Sequence, residues 1–204
     1  MGIFLLNTIK VLIGIAFLPA VVAILVVLHK HVSQYPGSGD ENNMFFLWGE
    51  EAFLIAFFFI HQFEWLYEFG QKMMQRFFQW LSPLDKVFVY VVPGYLTFIM
   101  IIFYLLKVWL KTDLYDNYFI FFAGFAFILH LVMTSKELQA SEKTIIKPDY
   151  FFMMVFTIMI TSCLTVLFFD LLLAKWTFPD FFEAVILEAQ RIYLLCFEKL
   201  VPPG

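Results

Sequence analysis

Long uncharged runs alternate along this chain with short polar segments, and the run lengths carry the first structural information. Inside hydrocarbon every backbone polar group has to be bonded within its own segment, and a hydrocarbon layer about 30 Å thick takes roughly 20 helical residues. Five runs approach that measure: Val11 to Leu28, Met44 to Tyr67, Val87 to Leu106, Asn117 to Ser135 and Tyr150 to Ala174. Pro19 is expected to kink the first, and Pro93-Gly94 to interrupt the third. Residues His31 to Asn43 contain Pro36-Gly37-Ser38-Gly39-Asp40 and predict a polar loop that also takes in the His29-Lys30-His31 stretch.

Two further segments have helical periodicity without the length of uncharged sequence that a span needs. From Gly70 to Ser82, Lys72, Gln75, Arg76 and Gln79 fall on one face while Met73, Met74, Phe77, Phe78 and Leu81 fall on the other, as in a helix lying in the headgroup plane. The segment Asp180 to Leu200 holds Glu183, Glu188, Arg191 and Glu198, too many charges for a further span. Its Phe182, Val185, Ile186, Ala189, Tyr193, Cys196, Phe197 and Leu200 form an apolar stripe that predicts docking on the membrane surface or on a partner. The expected fold is therefore all-α: one polytopic membrane domain over residues 1–204, with about five transmembrane helices and interfacial amphipathic helices near 70–82 and 180–200.

Composition strengthens the choice of lipid over water. Apolar residues make up 62% of the chain and aromatic residues 21%, against an apolar share of about 45–50% in soluble domains. The five tryptophans, Trp48, Trp65, Trp80, Trp109 and Trp176, fall near the proposed boundaries, as belts of interfacial aromatics do. A net charge of −4 with scattered basic residues leaves no footprint for nucleic acid. Cys163 and Cys196 lie in apolar runs without a CxxC pair and read as packing residues. The first run has no small-x-small cleavage site behind it and is expected to remain as an anchor. A cytoplasmic N-terminus puts Lys10, Lys72, Arg76, Lys86, Lys136, Lys143 and Lys147 on the cytoplasmic side, which the positive-inside rule favours.

Ionisable residues at membrane depth are costly, so they are the first places to look for chemistry. On the second run Glu50, His61, Glu64 and Glu68 fall within about 60° of one another at 100° per residue, giving one polar edge beside Glu51. That edge reads either as an ion path or ligand set, joined by Asp170 from the fifth run, or as carboxylates at the two membrane interfaces. His61 and His130 have similar expected depths and would be the axial pair if a haem were held. No cofactor is expected otherwise, and no metal is assigned. Nucleophile elbow, P-loop, HExxH and dinucleotide fingerprints do not occur, so the motifs give catalysis no support.

Asn43, then Trp48-Gly49-Glu50-Glu51 and the apolar run Ala52 to Ile60, resemble the small membrane subunit of tripartite ATP-independent periplasmic (TRAP) transporters, in which an N-x-x-x-W-x-E-E-like stretch opens the second span. The resemblance extends over about residues 11 to 140. It departs at His29-Lys30-His31-Val32, and again in the fifth run and the amphipathic tail, which that family's four-helix plan lacks. It implies a bacterial cytoplasmic membrane and a scaffold role beside a larger transport subunit. Residue pattern and resemblance together lead to three expectations: a non-catalytic subunit of a membrane assembly, partnered by other membrane proteins and lipid; a small proton or cation channel or carrier using Glu50, His61 and Glu64; and a haem-binding redox subunit.

Overall fold

The computed structural model describes residues 2–33, 40–60, 63–82, 88, 90–111, 115–141 and 148–200. Among these the chain is all-helical: α1 (Gly2–Val32), α2 (Asp40–Ile60), α3 (Glu64–Phe78) running into a 3-10 turn (Gln79–Leu81), α4 (Gly94–Leu110), α5 (Asp116–Ser141), α6 (Pro148–Leu172) and α7 (Phe178–Leu200). Three helical stretches, Leu5–Val32, Asp116–Ala140 and Pro148–Leu172, are long and apolar enough to cross a membrane. Helix α4 is apolar but 17 residues long. These apolar helices are compatible with an integral membrane protein.

The expected run from Met44 to Tyr67 is not one helix. Helix α2 ends at Ile60, Phe63 is outside helical geometry (φ −87°, ψ 0°), and α3 starts anew at Glu64. Tertiary contacts hold α3 on its own axis: the Tyr95 hydroxyl donates to the Leu66 carbonyl, and Gly70 lies so close to the Tyr95 ring that a side-chain carbon there would fall 2.6 Å from it. The Val87 to Leu106 run is likewise broken, since Pro93 is extended (φ −73°, ψ 92°) and α4 starts only at Gly94. His29 and His31, expected in a loop, are helical and close the last turn of α1.

Side-chain contacts set the helix directions. Helix α2 runs parallel to α5, from Phe45 and Trp48 beside Asn117 and Tyr118, through Gly49 against Phe121 and Phe125, to the Phe57 ring under the Lys136 ammonium. Helix α1 runs parallel to α6, from Lys10 paired with Asp149, through Gly14 against Phe151, to Phe17 against Phe156. Helix α7 returns antiparallel along α1: its Phe181 ring packs on His31 at 5.3 Å, and its Tyr193 hydroxyl donates to the Ala16 carbonyl. Between those contacts α7 advances about 18 Å and α1 recedes about 22 Å, at 1.5 Å per residue. The 180–200 segment thus lies lengthwise on α1; of the expected stripe Val185 is buried, together with Phe181 from outside it, while Phe182, Ile186 and Phe197 are exposed.

Phe46, Phe119, Phe127, Phe169 and Phe181 are fully buried. Phe46 and Phe119 both meet Phe169 edge-on, at 6.0 and 5.3 Å between centroids, an arrangement that the ring quadrupole favours. The tightest joint is between backbones. A side-chain carbon at Gly49 would fall 1.9 Å from the Phe121 carbonyl oxygen, and one at Gly124 would fall 2.1 Å from that of Phe46. On an isolated helix Gly→Ala is favourable by roughly 0.5–1 kcal/mol. Here the sign reverses: Gly49→Ala and Gly124→Ala should each destabilise by about 1–3 kcal/mol through overpacking, read as a lower thermal midpoint in detergent. Gly14→Ala, which meets only the movable Phe151 ring, should cost less.

Candidate functional site

At the end of the bundle where α1 finishes, one buried carboxylate meets His29 directly and another is linked to His31 through a threonine, both histidines having been expected in a loop. Glu50 comes from the third turn of α2, behind Gly49, whose contact with α5 turns the next residue inward. It is 8% exposed, while Glu51 beside it is exposed. Glu50 Oε2 is 3.0 Å from His29 Nε2, and His29 Nδ1 is 2.8 Å from the Leu25 carbonyl. Because a carbonyl only accepts, His29 Nδ1 carries hydrogen. The His29–Glu50 contact then requires one more hydrogen between the two groups, on Nε2 or on the carboxyl. Glu50 Oε1 is buried and has no hydrogen-bond partner among the described residues.

Asp170, 2% exposed near the end of α6, is occupied differently. The chain turns through Ala174, in left-handed geometry at φ 50°, and comes back so that α7 starts over the aspartate. Asp170 Oδ2 accepts from the Thr177 and Phe178 amides at 2.9 and 2.8 Å, and Oδ1 accepts from the Thr177 hydroxyl at 2.7 Å. With its own hydrogen given to Asp170, Thr177 Oγ1 accepts from His31 Nε2 at 2.8 Å. A carboxylate that takes the unpaired amides at a helix N-terminus also complements the helix dipole. Asp170 is therefore the cap of α7, tied through Thr177 to α1.

The other expected residues lie elsewhere. Glu64 is exposed and pairs with Lys136 at 2.7 Å, and Glu68 pairs with Lys72 at 3.4 Å. The Lys136 ammonium holds the Glu64 carboxyl below the ordinary glutamate range. The bridge is thus kept at neutral pH and lost on acidification through the lowered value, a small effect for an exposed pair. The single polar edge expected from Glu50 to Glu68 does not form, because the helix breaks between them; His61 lies outside the described residues. His130 is buried and donates from Nε2 to the Tyr90 carbonyl at 3.0 Å, so that nitrogen is engaged, and its expected pairing with His61 also falls outside the described residues.

Near Glu64 a cavity of about 260 Å³ opens among Tyr67, Glu68, Gln71, Met133, Lys136 and Glu137. Its polar wall is cross-linked: Gln71 and Tyr90 donate to Glu137, and Tyr67 bonds Thr134 at 2.7 Å. Burial raises the Tyr67 phenol well above the ordinary tyrosine value, so it remains a neutral hydrogen-bonding group. Among the described residues no three His, Cys, Asp or Glu side chains converge as a metal set. Sequence reasoning missed His29, His31 and Thr177. The signal available for the first was depth, since His29 ends one helix and Glu50 enters the next.

Compared with protein-family models, curated proteins and solved structures, the chain matches none.

Two outcomes are expected here. Asp170→Ala strips acceptors from three donors and should cost about 1–3 kcal/mol, with faster hydrogen exchange at the Thr177 and Phe178 amides than in the rest of α7. Glu50→Gln keeps the size of the side chain and removes its charge. It should move the His29 ring-nitrogen resonances in the NMR spectrum and leave hydrogen exchange at the Thr177 and Phe178 amides unchanged, since these are held by Asp170.

Proposed function

We propose that this chain is an integral membrane protein in which α1, α2, α4, α5 and α6 cross the bilayer, and that it serves as a non-catalytic subunit of a larger membrane assembly, of the transport class. The observation that carries the subunit reading is the use to which the buried ionisable groups are put. Glu50 joins α2 to α1, and Asp170 caps α7 and holds it through Thr177 to His31. Buried polar groups that join helices make a framework, and membrane helices use such groups as glue.

Further support comes from the outer surface. Phe58 and Phe59 on α2 and Trp109 on α4 are 70, 77 and 80% exposed, a distribution suited to lipid tails or to other membrane helices and unfavourable in water. We place the second span at 44–60, ending with α2, and α3 at the membrane interface. Helix α7 lies at membrane depth because it follows α1. The N-terminus is assigned to the cytoplasm and the membrane to a bacterial inner membrane, as the basic loops and the TRAP-like stretch imply. The carrier reading is weaker, since Glu50 is bonded to His29 at one end of α2 while Glu64 lies beyond the other end, bonded to Lys136. Glu50 and Ile60 alone are about 15 Å apart along the helix at 1.5 Å per residue.

Purification from native membranes in a mild detergent, followed by mass measurement, tests the proposal. A stable complex with at least one different membrane protein is expected. A chain that carries out transport by itself, in proteoliposomes of the pure protein, would overturn it.

A further inference from the structure

On the side of α3 away from Glu64 lies a second cleft, of about 370 Å³, whose walls carry no charge. It exists because the third run breaks. Helix α4 starts with a glycine after Pro93, and Met74 of α3 fills the space that a side chain at Gly94 would need, 2.8 Å from where its first carbon would stand. Helix α3 is thereby held across the first turn of α4. Helix α6 passes on the other side, where the Thr161 hydroxyl donates to the Val91 carbonyl. Phe98 and Ile101 of α4 and Leu164 and Phe168 of α6 form two walls, and Met73 and Phe77 of α3 close the third side. Thr97, the one polar side chain among the lining residues, gives its hydroxyl to the Pro93 carbonyl. The cleft therefore offers an occupant no free side-chain donor or acceptor.

The size of the cleft and the charge at its mouth select what fills it. A helix about 10 Å across occupies roughly 400 Å³ per turn, so a partner helix finds room for less than one turn between these walls. An unbranched hydrocarbon chain fits, and the flexible thioethers of Met73 and Met74 adapt to its course. At the rim stands Arg76, on the exposed edge of α3 and about 60° from Met73 at 100° per residue. The other charges on α3 are already paired: Lys72 with Glu68, and Glu64 with Lys136. Arg191, the second arginine of the chain, is bonded to Glu188. The Arg76 guanidinium makes no ion pair or hydrogen bond with any described residue, which leaves α3 with one uncompensated positive charge. A guanidinium fork matches the two free oxygens of a phosphate diester. A singly anionic lipid balances that charge, whereas a zwitterionic lipid brings a cation of its own.

We propose that this cleft is a binding site for an anionic phospholipid: one acyl chain lies between α3, α4 and α6, and Arg76 holds the phosphate. The headgroup then sits at the level of α3, and the chain runs into the bilayer past Phe98 and Ile101. Trp80, 75% exposed and one turn beyond Arg76, lies at the same boundary, where indole rings anchor. A lipid seated there joins α3 to α4 and α6 and stabilises the folded chain by mass action. The inference rests on the membrane placement proposed above, and within that placement it names the lipid class that one face takes.

The test uses the pure full-length chain in phosphatidylcholine nanodiscs doped with phosphatidylglycerol that carries a photoreactive diazirine in one acyl chain. Illumination should label peptides covering 73–78, 97–101 and 164–168, and added plain phosphatidylglycerol should suppress that label while added phosphatidylethanolamine should not. By native mass spectrometry of retained lipid, Arg76→Gln should weaken phosphatidylglycerol binding about fivefold, the equivalent of about 1 kcal/mol for one basic residue at an anionic surface. Arg191→Gln should leave it unchanged. Leu164→Trp, which fills the cleft, should remove the label from 73–78 and 97–101 with Arg76 intact; the wild-type pattern decides the matter even where that variant does not fold. Phosphatidylglycerol binding indifferent to Arg76→Gln, equal suppression by phosphatidylethanolamine, label as strong at the exposed Phe58 and Phe59, or a copurifying protein that shields 97–101 in place of lipid would each overturn the site. Solubility without detergent or lipid is a separate failure, that of the membrane placement itself.

Discussion

The architecture turns on the close approach of two backbones. Where α2 meets α5, Gly49 and Gly124 remove the side-chain carbon that would otherwise hold the axes apart, and each glycine lies against a carbonyl oxygen of the other helix. In an apolar environment helix association gains little from hydrophobic burial, so dispersion between closely approaching backbones has to supply it. The same contact fixes the rotation of α2, and rotation decides which neighbour each of its residues meets. Phe46 and Phe53 go into the core, Trp48 and Glu51 go outward, and Glu50 is turned toward His29.

The buried polar groups follow from that arrangement and extend it. His29 and His31 are about 200° apart on α1 at 100° per residue, so one faces α2 and the other faces the start of α7. Each finds a carboxylate or a hydroxyl that is itself held by a carboxylate. The two contacts bind α1 to different helices without merging into one site, and the Phe46 ring, which meets both His29 and Phe169, packs beside the first of them. The opposite end has its own polar wall around Glu137 and Tyr67, assembled from α3, α5 and the residues before α4.

Helix α7 shows how a cap can redirect a whole element. Its sequence has charges on several sides, and taken alone it suits a water–lipid boundary. The Asp170 carboxylate fixes its first turn beside His31, after which Phe181 and Val185 pack along α1 and bring the helix down the side of the bundle. The outward face that results carries Leu187, Gln190, Leu194 and Phe197, all exposed.

Helical class and apolar character were legible from the residues, because a run of uncharged residues states its preferred solvent whatever its neighbours are. The runs at 11–28 and 117–135 each lie within a helix long and apolar enough to cross a membrane, and the run at 150–174 overshoots a third such helix by two residues. Pro93-Gly94 announced a break in the third run, where Pro93 is extended, whereas the lone Pro19 is carried inside the continuous helix α1. The division of the second run at Ile60, the inward turn of Glu50, the capping by Asp170 and the lengthwise packing of α7 were decided by tertiary structure. Each depends on a partner far away in sequence: Tyr95 for α3, His29 for Glu50, Thr177 for Asp170 and α1 for α7. Solvent preference is a property of a segment, whereas the partner of a polar group is a property of the packing.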